Sequence, residues 1–140
     1  MGALRKEAEM KIKYVYHGSP RKLIGSKLIA RKPQDIERKK ENIAKGVYAS
    51  DLKNAAIAMA IISCKSVLYA SLKTSKPTSK PGIIHKGFPQ QKYIYLYTLD
   101  AKDFKRTSKG SHQWRCPKSV KPIKITKLRV KDYMHLIKFD

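Results

Sequence analysis

The segment "GVYASDLKNAAIAMAIISC", residues 46 to 64, contains the clearest secondary-structure signals in the chain. Its first residues, up to Ser50, predict a strand, and the Ala-rich remainder predicts a helix from Leu52 to Cys64. Ser50 or Asp51 is expected to cap the helix N-terminus. Small and apolar residues recur every three or four positions and predict a face for close packing on a sheet. That face comprises Leu52, Ala55, Ala56, Met59, Ala60 and Ser63.

Alternating β-branched and aromatic residues predict further strands on both sides of this segment. They lie at residues 11–17, 66–72, 92–100 and 112–116, with two shorter patterns in the tail. The segment 92–100 is bulky on both faces and is expected to be an interior strand. Prolines and glycines in residues 73–91 predict a long loop. The charged segment 32–46 predicts a short exposed helix or a loop. Five to seven strands with one main helix indicate an α+β domain with a largely antiparallel or mixed sheet.

Length and cysteine content define the class of protein. A chain of 140 residues has the size of one domain, so residues 1–140 are expected to form a single unit with residues 1–11 flexible. Cys64 and Cys116 lack the spacing of a disulfide framework or a zinc site, and no other metal site is predicted, which fits a reducing cytoplasm. The longest apolar run, residues 55–62, is too short to cross a bilayer, so we expect no membrane partner.

The charge is strongly unbalanced. The chain has 32 Lys and Arg against 10 Asp and Glu, a net charge of +22, with a pI near 10.1. Such an excess favours polyanions, because each cation near a phosphate releases condensed counterions. RNA or DNA is therefore the first candidate partner. The alternative is that the lysines only solvate the surface, or that the chain is a structural protein of a ribosome or a virion.

Two residues are candidates for chemistry because of where they lie. His17 ends the first predicted strand in "YHGSP" and is followed by Gly18 and Ser19. A single His in this position is typical of a turn histidine that bonds locally. Tyr48 lies on the strand that leads into the Ala-rich helix, and alone it would be interpreted as a core tyrosine.

Taken together, "YHGSP" and, about thirty residues later, "VYASD" before an Ala-rich helix resemble the ADP-ribosyltransferase fold. This split NAD-binding sheet is shared by bacterial toxins, poly-ADP-ribose polymerases and RNA 2′-phosphotransferases, and the small bacterial members are closest in size. The resemblance implies that NAD is the cofactor. It also implies that His17 and Gly18 hold the adenosine ribose and the nicotinamide amide, with Ser19 adjacent. Tyr48 would stack on the nicotinamide ring, with Ser50 close by.

The third family position is usually a Glu that stabilises positive charge developing on the ribose. Here "SHQWRCP" offers Gln113, which we assign to the catalytic set with His17 and Tyr48. A neutral amide stabilises positive charge less well than a carboxylate, so transfer is expected to be weak or absent. Asp100 or Asp103 is the alternative source of a carboxylate. Cationic residues nearby are expected to hold a nucleic-acid phosphate: Arg106, Lys109 and Arg115.

Aromatic side chains allow two interpretations. Six tyrosines are candidates to line a nucleotide pocket, although those in "YIYLYT" fit a structural cross-strand ladder better. They are Tyr14, Tyr16, Tyr48, Tyr93, Tyr95 and Tyr97. Trp114 is expected to pack in the core beside Cys116, with base stacking as the alternative.

Three functions therefore remain open at the level of sequence. The first is NAD-dependent ADP-ribosyl transfer to a nucleic acid or to a protein bound to one, or the removal of an RNA 2′-phosphate. The second is a non-catalytic, basic nucleic-acid-binding module on a degenerate transferase fold. The third is a structural protein without a site. Binding of NAD separates the first from the other two.

Overall fold

A computed structural model describes residues 12–31 and 44–140 of the chain. The predictions for residues 1–11 and for most of the charged segment 32–46 lie outside these ranges. Within them the chain forms one α-helix, α1, and nine strands, which confirms the α+β class. In chain order these are β1 (Tyr14–Ser19), β2 (Val47–Ser50), α1 (Lys53–Ile62), β3 (Val67–Leu72), β4 (Gly82–Gly87), β5 (Tyr93–Asp100), β6 (Lys105–Arg106), β7 (Gln113–Cys116), β8 (Lys124–Arg129) and β9 (Ile137–Phe139).

The strands form two open sheets. One has six antiparallel strands in the order β6-β7-β2-β1-β5-β8, and the other has three in the order β3-β4-β9. The smaller sheet is mixed, because β4 pairs with β3 antiparallel and with β9 parallel. β5 lies between β1 and β8 and is an interior strand, as its bulky faces predict. Two 3₁₀ turns, Ala101–Asp103 and Val130–Leu136, connect strands.

Helix α1 lies between the two sheets. Against the large sheet its backbone comes so close that a Cβ built on Gly18 would lie 1.9 Å from the Ala56 carbonyl oxygen. Against the small sheet, a Cβ on Gly82 would lie 3.3 Å from the Ala58 methyl group. Contact on two sides buries more of the helix than one amphipathic stripe would, including Ile57 and Ile61.

A second core covers the opposite face of the large sheet. Val15, Tyr97 and Leu99 are fully buried there, and the chain segments around Leu28 and Val120 cover them. These two segments are joined by hydrogen bonds from each backbone N–H to the carbonyl of the other, at 2.7 and 2.9 Å. The large sheet is therefore enclosed on both faces, which fixes the positions of the residues at its strand ends.

Three sequence predictions need correction. The described residues contain nine strands instead of five to seven, because β6 is too short to produce a pattern and β4 falls inside the predicted loop 73–91. The predicted helix cap is wrong, because Leu52 occupies the N-cap position without a side-chain bond. The predicted packing face is wrong in part, because Met59 and Ser63 are exposed. The buried side is instead set by the contact of α1 with both sheets.

Candidate functional site

The order of strands in the large sheet brings the three sequence motifs onto neighbouring strands. β1 holds His17, β2 holds Tyr48 and Ser50, and β7 holds Gln113. Ser50 lies opposite Tyr16 on one side and opposite Gln113 on the other. Because directly opposite residues share a face, Tyr16, Ser50 and Gln113 form a row across three strands. His17 comes one residue after Tyr16 and starts from the other face.

The His17 ring bridges the gap where β1 and β2 separate. Among the described residues the two strands pair at Tyr16 and Ser50, and Gly46, just before β2, pairs with Arg31 instead. Between these pairings, His17 Nδ1 lies 2.8 Å from the Tyr48 carbonyl oxygen. A carbonyl only accepts, so Nδ1 carries the hydrogen and Nε2 of the neutral ring is an acceptor.

The half-buried position of His17 favours this neutral form. Burial lowers the pKa of His17 below its ordinary value of 6.5, the hydrogen bond to Tyr48 opposes that shift, and the charge of Arg31 adds to it. The ring also lies at 6.1 Å, centroid to centroid, from the ring of Tyr97 in the second core. His17 is thus a neutral group whose Nδ1–H is bonded to the Tyr48 carbonyl and whose Nε2 is an acceptor.

Gly18 and Ser19 complete the first motif. Gly18 is buried beneath α1, so its lack of a side chain has a packing reason in addition to any role in binding. The Ser19 hydroxyl accepts a hydrogen bond of 3.1 Å from the Arg21 backbone N–H, which shapes the turn after β1.

Tyr48 and Ser50 on β2 are only partly buried. The Tyr48 hydroxyl donates to the Ala44 carbonyl, and burial raises the pKa of Tyr48, while the charge of Arg115 and a hydrogen bond from it act in the opposite direction. The Ser50 hydroxyl accepts a bond of 3.0 Å from the Leu52 N–H instead of capping α1.

Gln113 is the first residue of β7, and its side chain is hydrogen-bonded to the turn before that strand. Its Oε1 accepts a hydrogen bond of 3.3 Å from the Thr107 hydroxyl, in the turn between β6 and β7. The other carboxylate candidates lie elsewhere: Asp100 accepts from the Lys102 N–H at a 3₁₀ turn, and Asp103 is exposed. Gln113 remains the residue that neighbours Ser50 across the sheet.

A buried carboxylate next to this row was not identified as a site residue by sequence reasoning. The Asp51 side chain is only 7% exposed. Its Oδ1 accepts from His112 Nδ1 at 2.7 Å, and its Oδ2 accepts from Trp114 Nε1 at 2.9 Å and from Arg106 Nη1 at 3.4 Å. The Arg106 guanidinium also lies 4.7 Å from the centre of the Trp114 ring. Asp51 thus connects the end of β2 to the start of β7.

The predicted phosphate-binding residues differ in whether their cationic groups are already hydrogen-bonded within the protein. Arg106 is bonded to Asp51 and to the Ser111 carbonyl, and Arg115 donates from Nε and Nη2 to the Lys45 carbonyl at 2.9 and 2.6 Å. Lys109 is exposed in the turn before β7. Trp114 is partly buried with its N–H bonded, so it contributes to packing more than to base stacking.

An open depression of about 400 Å³ lies beside the row, at the start of β1. Tyr14, Tyr16 and Asp51 contribute to its walls, and the Lys53 ammonium lies 5.9 Å from the centre of the Tyr16 ring. Tyr97 has a different role, because it is fully buried and its hydroxyl accepts from the Leu23 N–H and donates to the Arg21 carbonyl. Aromatic rings at an open depression offer a surface on which a planar group can stack.

Comparison of the chain with family models, with curated proteins and with solved structures finds no match. In the residues that the structure describes, no helix is long and apolar enough to cross a membrane, and no group of His, Cys, Asp and Glu has the arrangement of a metal site. An assignment of function therefore depends on the motifs and on how the strands arrange them.

Proposed function

We propose that the domain binds NAD and transfers ADP-ribose, with nucleic acid or a nucleic-acid-bound protein as the acceptor. The observation that supports this is the order β7-β2-β1, because it joins motifs that are about thirty and sixty residues apart in the chain. A chance match of two short motifs would give no reason for Gln113, the third candidate, to lie directly opposite Ser50.

Two side chains offer groups that NAD requires: His17 at the gap between β1 and β2, and Tyr48 on the face of Ser50 and Gln113. The neutral His17 ring offers Nε2 as an acceptor for a ribose hydroxyl, since Nδ1 is committed to the Tyr48 carbonyl. The partly exposed Tyr48 ring offers a stacking surface for nicotinamide. NAD, when bound, supplies the ADP-ribosyl group and nicotinamide as the leaving group.

Gln113 is the residue that limits the rate in this proposal. Its amide oxygen is a weak partner for positive charge on the ribose, and it already accepts a bond from Thr107. A carboxylate at the same position would add a full negative charge, and one preorganised electrostatic contact is worth about 10²- to 10³-fold in rate. We therefore expect slow transfer in the natural sequence.

The test is release of nicotinamide from NAD by the natural protein and by Gln113→Glu. We expect the variant to raise release about 10²-fold with little change in melting temperature, because Gln and Glu are nearly isosteric and the position is partly exposed. His17→Ala should abolish NAD binding in a calorimetric titration, whereas His135→Ala, at an exposed position, should not. A folded Gln113→Glu variant with unchanged release would contradict the assignment of Gln113.

Tyr48 provides an independent test of the same site. Tyr48→Ala should weaken nicotinamide binding far more than Tyr48→Phe, because stacking requires the ring and not the hydroxyl. The hydroxyl bond to Ala44 is lost in both variants, so it cannot produce a difference between them. Equal losses would mean that Tyr48 acts through that hydroxyl bond.

Nucleic acid is proposed as the acceptor because of charge and one aromatic cluster. Two ammonium groups lie near the Tyr93 ring, with Lys127 at 4.1 Å and Lys92 at 5.5 Å from its centre. Cations close to a partly exposed ring are typical of surfaces that bind single strands by stacking and charge. This cluster equally supports the alternative function, a basic module that binds nucleic acid without catalysis.

Binding to a single-stranded RNA, measured over a range of salt concentrations, tests the proposed interaction with nucleic acid. The logarithm of affinity should fall by about 0.7 per phosphate contact for each tenfold rise in salt. Lys127→Ala should reduce the magnitude of that slope by about 0.7, the share of one phosphate contact. Tyr93→Ala should weaken binding at all salt concentrations. RNA binding without NAD binding would favour the non-catalytic module, and a flat salt dependence would contradict both.

A further inference from the structure

Three side chains of the small sheet form a hydrogen-bonded chain, outside the site described above. Ser71 Oγ lies 3.0 Å from His85 Nε2, and His85 Nδ1 lies 2.9 Å from Asp140 Oδ2. Ser71 is on β3, His85 is on the central strand β4, and Asp140 directly follows β9. Residues separated by as many as 69 positions in sequence thus meet on one surface.

Sheet register explains why these side chains meet. Ser71 pairs with Ile83, so His85, two residues further along β4, lies on the same face. On the other side, Ile84 pairs with Phe139 in parallel, which sets His85 beside Asp140. Ile84 itself is buried against α1, so the alternate residue His85 faces outward.

The hydrogen positions follow from the partners. A carboxylate only accepts, so His85 Nδ1–H donates to Asp140. When the ring carries no second proton, Nε2 is an acceptor and the Ser71 hydroxyl donates to it. This is the orientation in which an imidazole can remove a proton from a serine, with a carboxylate holding its tautomer.

The surroundings leave the serine open to a substrate and restrict the imidazole. Ser71 is exposed, while the His85 side chain is 28% exposed. The Tyr69 ring lies 4.9 Å from the His85 ring, centroid to centroid, on the side of β3. The imidazole is thus held by Asp140, Ser71 and Tyr69, which limits its rotation.

A backbone donor for a developing oxyanion lies next to the serine. The Lys73 N–H bonds the Pro81 carbonyl at 2.7 Å, so the alternation of an antiparallel pair directs the Leu72 N–H away from β4. β3 is an edge strand among the described strands, so this N–H faces an open edge. The N–H of the residue after the nucleophile is a common oxyanion donor in serine hydrolases.

We propose that Ser71, His85 and Asp140 form a second reactive site, which hydrolyses carboxylic esters with good leaving groups. Ser71 Oγ bonds to the acyl carbon, and its proton moves to His85 Nε2. The bond from the acyl carbon to the leaving oxygen then breaks, and the alcohol leaves with that proton. Water adds to the acyl carbon through the same base, the bond to Ser71 breaks, and the products are a carboxylic acid and an alcohol.

The test uses a fluorophosphonate probe, which bonds covalently to activated serines with loss of fluoride, and mass spectrometry to locate the labelled residue. Many lysines of this chain would be acylated by a simple activated ester, so the site of labelling is the decisive measurement. We expect Ser71 to be labelled and His85→Gln to reduce the rate of labelling about 10²-fold, the loss typical of a missing general base. Asp140→Asn should cause a smaller loss, because that carboxylate is 64% exposed.

Two controls make the result specific. Ser79→Ala removes another exposed serine from the loop before β4 and should leave the labelling of Ser71 unchanged. Circular dichroism confirms that the variants fold, which is expected because the altered side chains lie on the surface. Labelling spread evenly over the serines, or labelling of Ser71 that persists in His85→Gln, would overturn the proposal.

Discussion

Replacement of Asp51 by alanine is the most informative perturbation of this fold. The variant leaves three donors, on His112, Trp114 and Arg106, without the carboxylate that joins them. Breaking a buried ion pair by removing one partner costs about 3–5 kcal/mol. Because His112 and Arg106 are each 26% exposed and water can reach them, we expect the lower end of that range, about 3 kcal/mol.

A loss of this size is readily measured. With an unfolding entropy of about 2.1 cal/mol/K per residue, it lowers the melting temperature of a 140-residue chain by about 10 °C. Asp51→Asn should lower the free energy of unfolding by nearly as much, because both carboxylate oxygens accept hydrogen bonds. In the variant the amide NH₂ group would face one of the donors, His112 or Trp114. Urea unfolding followed by circular dichroism gives the free energies.

The control for Asp51 is Asp103→Ala, which removes the same charge from an exposed position and should change stability by less than about 0.5 kcal/mol. If Asp51→Ala costs less than about 1 kcal/mol, the reasoning fails. The carboxylate would then contribute no more than a surface ion pair does.

Two further predictions concern β1. Gly18→Ala places a Cβ 1.9 Å from the Ala56 carbonyl oxygen and should destabilise the protein by about 3 kcal/mol, measured by urea unfolding. Gly25→Ala, with open space but a φ of +89°, should cost about 1 kcal/mol, and equal losses would refute the packing argument. Because burial lowers the pKa of His17, the unfolded chain binds a proton at higher pH than the folded one. Stability should therefore fall as pH drops below about 6.5, by at most about 1.4 kcal/mol per pH unit for this group, and His17→Gln should remove that part of the slope. Identical slopes would show that burial does not lower the pKa of His17.

Local patterns were sufficient for most elements of the fold. The helix predicted over residues 52–64 is α1, Lys53–Ile62, and the alternation in residues 92–100 gives β5. β4 was missed because prolines and glycines flank it, and these residues predict a loop in any single window. Its strand conformation is stabilised by β3 and β9, which lie elsewhere in the sequence.

Sequence could indicate candidate site residues only where a motif is local. His17 and Tyr48 were identified as candidates from short motifs that each fall within one strand and its turn. The partners of Asp51 come from β6, from β7 and from His112 just before β7, all more than fifty positions away, so no spacing rule indicates them. Ser71, His85 and Asp140 come together only through sheet register. Contacts of this kind require knowledge of which strands are neighbours.

The positive charge along β8 also bears on whether two copies of the chain can associate, because β8 lies at the edge of the large sheet. β8 is the outer strand of an open sheet, so one side of its backbone has no strand partner among the described residues. An exposed edge of this kind can pair with another chain, and long charged side chains are a common protection against such association. Lys124, Lys127 and Arg129 are exposed along this edge, beside the exposed Ile125. A polyanion that neutralised these cations would therefore weaken the repulsion between two such edges, which favours pairing of two copies through β8.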